Sequence, residues 1–216
     1  MKYLVGMFFI FMVSCKQEKK YHNLAKTTSV VVKDTLVQDI LNWQAALNEE
    51  YANPETSPLA DRYRKNFEGL DFFAPDTSFI VKAYLERTPE AIPFLMPTTT
   101  DRKSKEVVYG IASFVLKGKK CAVEIYQNKN LMLQEEYKDY LFFPFLDVTN
   151  GRETYGGGRY IDLSIPEGDT LLLNFNKAYN PYCAYNKKYS CPIVPGINYL
   201  DLEIKAGVKS FNTSKK

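Results

Sequence analysis

Residues 146–195 read LDVTNGRETYGGGRYIDLSIPEGDTLLLNFNKAYNPYCAYNKKYSCPIVP and are the most chemically specific part of the chain. They contain a glycine triplet, several acids and asparagines, and two cysteines. Short runs at residues 159–163 and 170–175 predict strands, because strand side chains alternate between two faces. Turn-forming residues separate these runs, which favours an antiparallel β fold.

The preceding part of the chain extends this pattern. Residues 78–86 place alternate apolar side chains on one face, and residues 106–116 are apolar on both faces, which indicates a central strand. Residues 117–119 predict a hairpin turn. Pro144 predicts a sheet edge or a strand end, because proline donates no ladder hydrogen bond. About eight to ten such strands predict a mainly β fold, an antiparallel sandwich or a barrel-like sheet.

Two short helices are predicted before the strands. Residues 37–53 carry an apolar stripe at helical spacing, from Ile40 through Trp43 to Tyr51. Ser57 and Pro58 predict the N-cap and first position of a second helix. Both helices need cover for their apolar faces, so we expect them to pack on the sheet. Residues 37–211 then form a single β-rich domain.

The N-terminus predicts a lipid-anchored protein of the cell envelope. Residues 1–14 fit a lipoprotein signal peptide, because their apolar run is too short for a membrane span of about 20 residues. Cys15 is then the lipidation site, and residues 15–36 are a flexible tether. The expected location is a membrane surface facing the periplasm or in the outer membrane, with the membrane as partner through the acyl chains.

Composition excludes several function classes. The net charge of +3 is spread over many lysines, whereas a nucleic-acid surface needs a clustered basic face, so no nucleic-acid partner is expected. The one histidine, His22, lies in the predicted tether, which leaves no Ser-His-Asp or Cys-His site. No metal and no cofactor are predicted, and the sequence leaves the oligomeric state open.

The glycine-rich bend allows two interpretations. Residues 155–159 comprise Tyr155, Gly156, Gly157, Gly158 and Arg159. Backbone N–H groups in such a bend can hold an anion, with the guanidinium as a bidentate partner. The alternative, which we favour, is a tight bulge in which the arginine pairs with Glu153 or Asp162 for structural reasons.

Acid–base chemistry has carboxylate candidates in the same segment. Asp147 and Glu153 are the catalytic candidates, with Asp162 beside them. Two carboxylates in different environments can divide acid and base roles. Such acids in β-rich proteins more often cap turns, and residues 147–151 indicate a turn held by an Asp side chain.

Three asparagines and a tyrosine form a second candidate set for binding, namely Asn174, Asn176, Tyr179 and Asn180. The first two share a strand face, and a buried amide without a partner costs about 1–3 kcal/mol. These side chains are therefore expected either to tie residues 178–195 to the sheet or to line a polar pocket.

The two cysteines of the segment, Cys183 and Cys191, predict a disulfide outside the cytoplasm. The alternatives are a metal site shared with Cys121 and free thiols. Zinc usually takes four ligands, and the sequence offers no CxxC spacing, so the disulfide is favoured.

Three stretches of sequence resemble a bacterial family called domain of unknown function 1684. They are FPFLDVTNGRETYGGGRY (residues 143–160), LNFNKAYNPYCAY (173–185) and SCPIVPGINYLDLEIKAGVK (190–209). Val208 departs from the glutamate that the family has at this position. The lipidation segment is similar to that of Bacteroidetes lipoproteins. The family has no established activity, so the resemblance implies relatives and not a reaction.

Three functional hypotheses follow. The first is a lipid-anchored module whose glycine–arginine bend and asparagine strand bind a small molecule or an envelope partner. The second is a carboxylate-dependent hydrolase of envelope material. In the third, the whole set of polar residues is a structural support for residues 178–195.

Overall fold

The computed structural model describes residues 24–211, with side chains from residue 33 onward. Two α-helices precede the strands, α1 at Leu24–Ala52 and α2 at Asp61–Arg64. The strands are β1 Ile80–Arg87, β2 Phe94–Pro97, β3 Lys103–Leu116, β4 Lys119–Asn128, β5 Tyr140–Asp147, β6 Arg159–Ser164, β7 Thr170–Asn174 and β8 Tyr199–Leu200.

All eight strands join one sheet that is nearly closed into a barrel. Its order is β6-β5-β4-β3-β1-β7, with β2 beside the first half of β3 and β8 parallel to the end of β5. Inward side chains from both ends of this order share one core, which includes Leu85, Phe114, Ile125, Phe143, Phe145, Ile161 and Leu173. The prediction of a mainly β, barrel-like fold is confirmed.

The β3–β4 hairpin also confirms its prediction. Lys117 and Gly118 connect the strands with φ of 49° and 81°. Two positive φ angles are typical of the hairpin turn whose twist matches that of the strands. Within β3, a Cβ at Gly110 would lie 2.6 Å from the carbonyl oxygen of Glu86, so this bulged position has no room for a side chain.

A seam opens in the barrel beside Pro144. Strand β5 is internal, between β4 and β6, so the predicted sheet edge is wrong. Its ladder with β4 nevertheless has a single registered pair, because proline supplies no N–H. The Asn198 side chain, fully buried, closes the gap by accepting a hydrogen bond from the Glu124 N–H (2.8 Å). It also donates to the carbonyls of Glu124 (2.9 Å) and Pro144 (2.8 Å).

The N-terminal helices differ from the prediction in length. Helix α1 begins at Leu24, within the segment predicted to be a tether, because extending a helix that is already anchored adds one hydrogen bond per residue fixed. The second helix is a single turn, and Ser57 does not cap it. The Ser57 hydroxyl instead donates to the Tyr51 carbonyl (2.6 Å) and accepts from the Leu59 N–H (3.2 Å).

Helix α1 packs on the domain, as expected. Its Tyr51 is fully buried in a second apolar cluster, together with Leu59 and Tyr185. Helix α2 has no buried residue and contacts this cluster through Tyr63, which is partly buried. No helix in residues 24–211 is long and apolar enough to cross a membrane. The predicted signal peptide (residues 1–14) and Cys15 lie outside the described residues.

We expect Asn198→Ala to destabilise the domain by about 2–4 kcal/mol, because it leaves buried backbone groups without partners at the seam. Chemical denaturation measures this change. The exposed Asn130, whose side chain makes no capping hydrogen bond, supplies the control Asn130→Ala, for which we expect less than about 0.5 kcal/mol. Equal effects of the two changes would contradict the role of the seam.

Candidate functional site

The predicted anion holder Arg159 forms a buried ion pair with Asp147. The Arg159 Nη2 donates to Asp147 Oδ2 at 2.8 Å, and both side chains are 0% exposed. The pair joins the end of β5 to the start of β6. Of the partners considered from sequence, Glu153 and Asp162, neither is correct, because Arg159 lies on the inner face of β6 and Asp162 on the outer one.

The remaining Arg159 donors hold the C-terminal segment. Nη2 donates to the Ile204 carbonyl (2.9 Å), and Nη1 donates to the carbonyls of Ala206 and, at 3.5 Å, Val208. Burial lowers the pKa of the guanidinium, and the Asp147 carboxylate opposes that shift. Only Nε has no partner among the described residues, and it is buried. Arg159 is therefore enclosed by protein, and the hypothesis that it holds an anionic ligand is wrong.

The Asp147 carboxylate also makes its hydrogen bonds within the protein. Its Oδ1 accepts hydrogen bonds from the Thr149 N–H (2.8 Å), the Thr149 hydroxyl (2.6 Å) and, weakly, the Ile204 N–H (3.3 Å). The predicted Asp-held turn is thus present. Glu153, by contrast, is exposed and lies 3.5 Å from the Lys205 ammonium. One candidate acid is sealed in the core and the other is on the surface, so they do not share a cleft.

The glycine bend is a tight connection with one sterically required residue. Gly156 and Gly157 are exposed, whereas Gly158 is buried with φ of 89°. A Cβ at Gly158 would lie 2.6 Å from the Phe145 carbonyl oxygen. Tyr155 places its hydroxyl 4.0 Å from the Cys183 sulfur. The bend therefore meets residues 178–195, which we call the lid.

The asparagines do not tie the lid in the way the sequence suggested. Asn176 accepts a hydrogen bond from the Asp76 N–H and donates to the Asp76 carbonyl, both at 2.9 Å, and Asn174 Oδ1 accepts from the Asn176 side chain at 3.0 Å. This pair fixes the segment before β1. Asn180 donates to the Lys209 carbonyl (2.9 Å) and is fully buried. None of the three asparagines is a lining residue of the two cavities that lie beside β6.

Cys183 and Cys191 are free thiols in the structure, so the predicted disulfide is not seen. They are nonetheless neighbours, because the Cys183 N–H donates to the Cys191 sulfur at 3.2 Å. Cys121 is not part of this pair, and its thiol donates to the Lys119 carbonyl at 3.7 Å.

A cavity of about 320 Å³, which we call the tyrosine pocket, opens between α1, β6 and the lid. Helix α1 contributes Trp43, Leu47 and Glu50 to its lining. The other lining residues are Tyr160, Asp162, Tyr179, Pro181, Tyr182 and Cys191. Of the binding residues predicted from sequence, only Tyr179 reaches this pocket.

Asp162 is the polar centre of the tyrosine pocket. Its Oδ1 accepts hydrogen bonds from the hydroxyls of Tyr140 and Tyr179, both at 2.7 Å. Its Oδ2 has no partner among the described residues, and the side chain is open to solvent. Surrounding protein raises the pKa of this carboxyl, and the two tyrosine hydroxyls reduce the shift. A partly desolvated carboxylate with one free oxygen can accept a ligand's hydrogen bond or pair with its charge.

A second cavity of about 370 Å³ shares Tyr160 and Tyr179 with the tyrosine pocket. Its floor is Glu106, whose Oε1 accepts from Ser104 (2.7 Å) and Asn128 (2.6 Å), while Oε2 is buried with no partner in the described chain. The rim carries Arg102, Lys103 and Lys105. An acidic floor below a basic rim does not select one sign of ligand charge.

Register along β6 is the signal that could have identified Asp162. Tyr160 and Asp162 are two residues apart and so share the outer face, opposite the inner face that carries Arg159 and Ile161. Asp162 also pairs with Phe142 across the β5–β6 ladder. The lining residues from α1 precede Asp162 by more than 100 residues in the sequence, so no local sequence pattern predicts that they line the same pocket.

We expect Arg159→Met to destabilise the domain by about 3–5 kcal/mol, because it leaves the Asp147 charge buried without a partner. The matched control is Arg152→Met. Arg152 is exposed and pairs with Glu203 at 3.0 Å, a contact worth at most about 1 kcal/mol. Urea denaturation compares the two variants. A loss for Arg159→Met no larger than that of the control would contradict a structural role for the buried pair.

Comparison with known proteins places the chain in a family. A family model described as "Protein of unknown function (DUF1684)" matches residues 65–209. The solution NMR structure of an uncharacterised protein from gene locus rrnAC0354 of Haloarcula marismortui is similar, with 29% identity and a TM-score of 0.64 over 82% of this chain and 95% of that one. No curated protein matches. Because the family model covers more than half of the sequence, the chain belongs to the DUF1684 family of proteins of unknown function.

Proposed function

We propose that this protein is a small-ligand-binding module of the cell envelope and that the tyrosine pocket binds an organic cation, such as a primary or quaternary amine. The observation that carries the proposal is the free Oδ2 of Asp162 on an aromatic-lined pocket. A carboxylate that is partly withdrawn from water attracts a cation more strongly than an exposed one does.

The walls of the pocket fit the same ligand charge. Rings of Trp43, Tyr160, Tyr179 and Tyr182 line it, and a cation is attracted to the face of such rings. Glu50 adds a second carboxylate, whose Oε1 accepts a hydrogen bond from the Tyr182 hydroxyl at 2.6 Å. Lysine and arginine are absent from the described lining residues. Two acids and four aromatic rings without a basic side chain favour a cation over an anion.

The construction of the pocket suits a small molecule. A volume of about 320 Å³ lies at the lower end of the range typical of ligand sites. Its walls are held by contacts within the protein: Tyr160 and Tyr179 exchange backbone hydrogen bonds at 2.9 and 3.0 Å, and the Tyr160 hydroxyl donates to the Pro192 carbonyl. A pocket whose walls are already ordered loses little conformational entropy on binding.

The hydrolase alternative has weaker support. Asp147 has no open face, because its partners are the Arg159 guanidinium and the Thr149 and Ile204 groups. Glu153 is on the surface and faces Lys205. A general base has to reach its substrate's proton by hydrogen-bond contact, directly or through one water. Two acids in these positions cannot divide acid and base roles on one substrate.

We expect choline to bind the protein and its neutral isostere 3,3-dimethyl-1-butanol to bind at least about tenfold more weakly, because only the cation pairs with Asp162. Isothermal titration calorimetry on the full chain measures both. Asp162→Asn keeps an oxygen acceptor for the two tyrosines and removes the charge, so choline affinity should fall about 10–100-fold. Equal binding of the two probes, or unchanged choline binding by Asp162→Asn, would refute the proposal.

Folding stability and binding should respond to pH in opposite directions. The folded state raises the pKa of Asp162, so it binds that proton more tightly than the unfolded chain does. This residue therefore lowers stability as pH rises through its folded pKa, and Asp162→Asn should melt at the same or a higher temperature at neutral pH. Choline affinity should fall as pH drops through the same pKa. Thermal melts and titrations across pH 4–8 test both.

Membrane attachment is the second part of the proposal. It rests on the apolar run before Cys15 and on the position of this cysteine at the end of that run. We expect the wild-type chain, expressed in a Gram-negative host, to incorporate a labelled fatty acid and to enter the membrane fraction. Cys15→Ser should abolish the label, whereas Cys121→Ser should not. An unlabelled wild-type chain would overturn the anchor.

A further inference from the structure

The paired thiols of the lid have unequal surroundings. Cys191 is buried and fixed by Thr99: the Cys191 N–H donates to the Thr99 hydroxyl (3.1 Å), and the Thr99 N–H donates to the Cys191 carbonyl (2.9 Å). Cys183 lies in the short 3-10 turn Tyr182–Ala184 and is partly exposed. One thiol is thus held inside the protein and the other can be reached from solvent.

Two contacts place polar groups close to the Cys183 sulfur. The Cys183 N–H donates to the Cys191 sulfur at 3.2 Å, which brings the two thiols together, and the Tyr155 hydroxyl lies 4.0 Å from the Cys183 sulfur. The neighbouring Cys191 thiol, opposed by burial and helped by the hydroxyls of Thr99 and Tyr155, lowers the pKa of Cys183 to about 6. The same contact and burial raise the pKa of Cys191. Burial raises the pKa of Tyr155 to about 12, so its hydroxyl keeps the proton that it donates.

This arrangement differs from that of a structural cystine. A redox-active pair needs one cysteine that can form a thiolate and be reached from solvent, and a second thiol within reach. Cys183 is partly exposed, and Cys191, whose sulfur accepts the Cys183 N–H at 3.2 Å, supplies the second thiol from a buried position. We infer that Cys183 and Cys191 form a redox-active dithiol that exchanges with small disulfides, with Cys183 as the attacking sulfur and Cys191 as the resolving one.

The exchange is balanced as follows. The Cys183 thiolate attacks one sulfur of a disulfide RSSR, forms a Cys183–SR bond and releases RS⁻. The Cys191 thiol then loses its proton to solvent, and its sulfur attacks the Cys183 sulfur and releases the second RS⁻. Two electrons pass from the dithiol to RSSR, which leaves as two thiols. Excess RSH reverses both steps.

Cys191 also lines the tyrosine pocket, next to the Pro192 carbonyl that accepts the Tyr160 hydroxyl. The redox state of the pair therefore alters one wall of that pocket. The dithiol chemistry itself does not depend on which ligand the pocket binds, since Cys183, Thr99 and Tyr155 are not among the lining residues of that pocket.

The first test is the pH dependence of iodoacetamide alkylation on the full wild-type chain, read for each cysteine by peptide mass spectrometry. Cys183 should react with a midpoint near pH 6, and Cys121 should serve as the internal control with a midpoint above that of an ordinary thiol, because burial raises its pKa. Tyr155→Phe should move the Cys183 midpoint upward. An ordinary midpoint for Cys183 near pH 8.5 would overturn the inference.

The second test uses oxidised glutathione as the disulfide. The wild-type chain should form the Cys183–Cys191 bridge and open again in excess reduced glutathione. Cys191→Ser should accumulate glutathione on Cys183, whereas Cys183→Ser should react at least tenfold more slowly at Cys191. A bridge that excess reduced glutathione leaves closed would indicate a structural cystine and contradict the inference. So would equal labelling of the two single variants.

Discussion

The buried contact between Asp147 and Arg159 is the constraint on which the rest of this fold depends. Withdrawing two charges from water costs several kcal/mol per ion, and their attraction compensates for this only if the remaining donors and acceptors also find partners. Three backbone carbonyls and the Thr149 hydroxyl supply most of them here. The C-terminal segment must therefore lie across the end of β5 and β6, because it carries those carbonyls.

That placement determines where the lid and the pocket form. The Val208 N–H donates to the Ala178 carbonyl at 2.9 Å, so the clamped C-terminal segment holds the first residue of the lid. Asn180 donates to the Lys209 carbonyl and extends the same attachment. The lid then continues over Tyr160 and meets α1 at the tyrosine pocket. Val208, the position at which the family resemblance implies a glutamate, is buried, with 1% of its surface exposed.

Sequence patterns predicted the strands and turns that depend on local periodicity. They did not predict side-chain partners that lie far apart in the sequence. The β3–β4 hairpin, the barrel-like class and the Asp147 turn follow from alternation and turn residues. Arg159 was paired from sequence with acids close to it along the chain, yet the inner face of β6 points it at Asp147. The asparagine strand was assigned to the lid, although its partner is Asp76, about 100 residues earlier. The pocket joins α1 to β6 and the lid, which no single stretch of sequence reveals.

One face of β6 carries a residue that stabilises the fold, and the other face carries a residue that a ligand can reach. Arg159 on the inner face is enclosed and holds the fold, whereas Asp162 on the outer face keeps one oxygen open beside aromatic rings. This division explains why the most distinctive residues of the sequence, the glycine bend and its arginine, are not the residues that a ligand can reach.

The most direct measurement of this division is NMR of the side-chain carboxyl carbons of labelled aspartates during a choline titration at neutral pH. We expect the Asp162 resonance to shift in a saturable manner and the Asp147 resonance to stay in place. A saturable shift at Asp147 with none at Asp162 would contradict the assignment of Asp162 to ligand binding and of Asp147 to the fold.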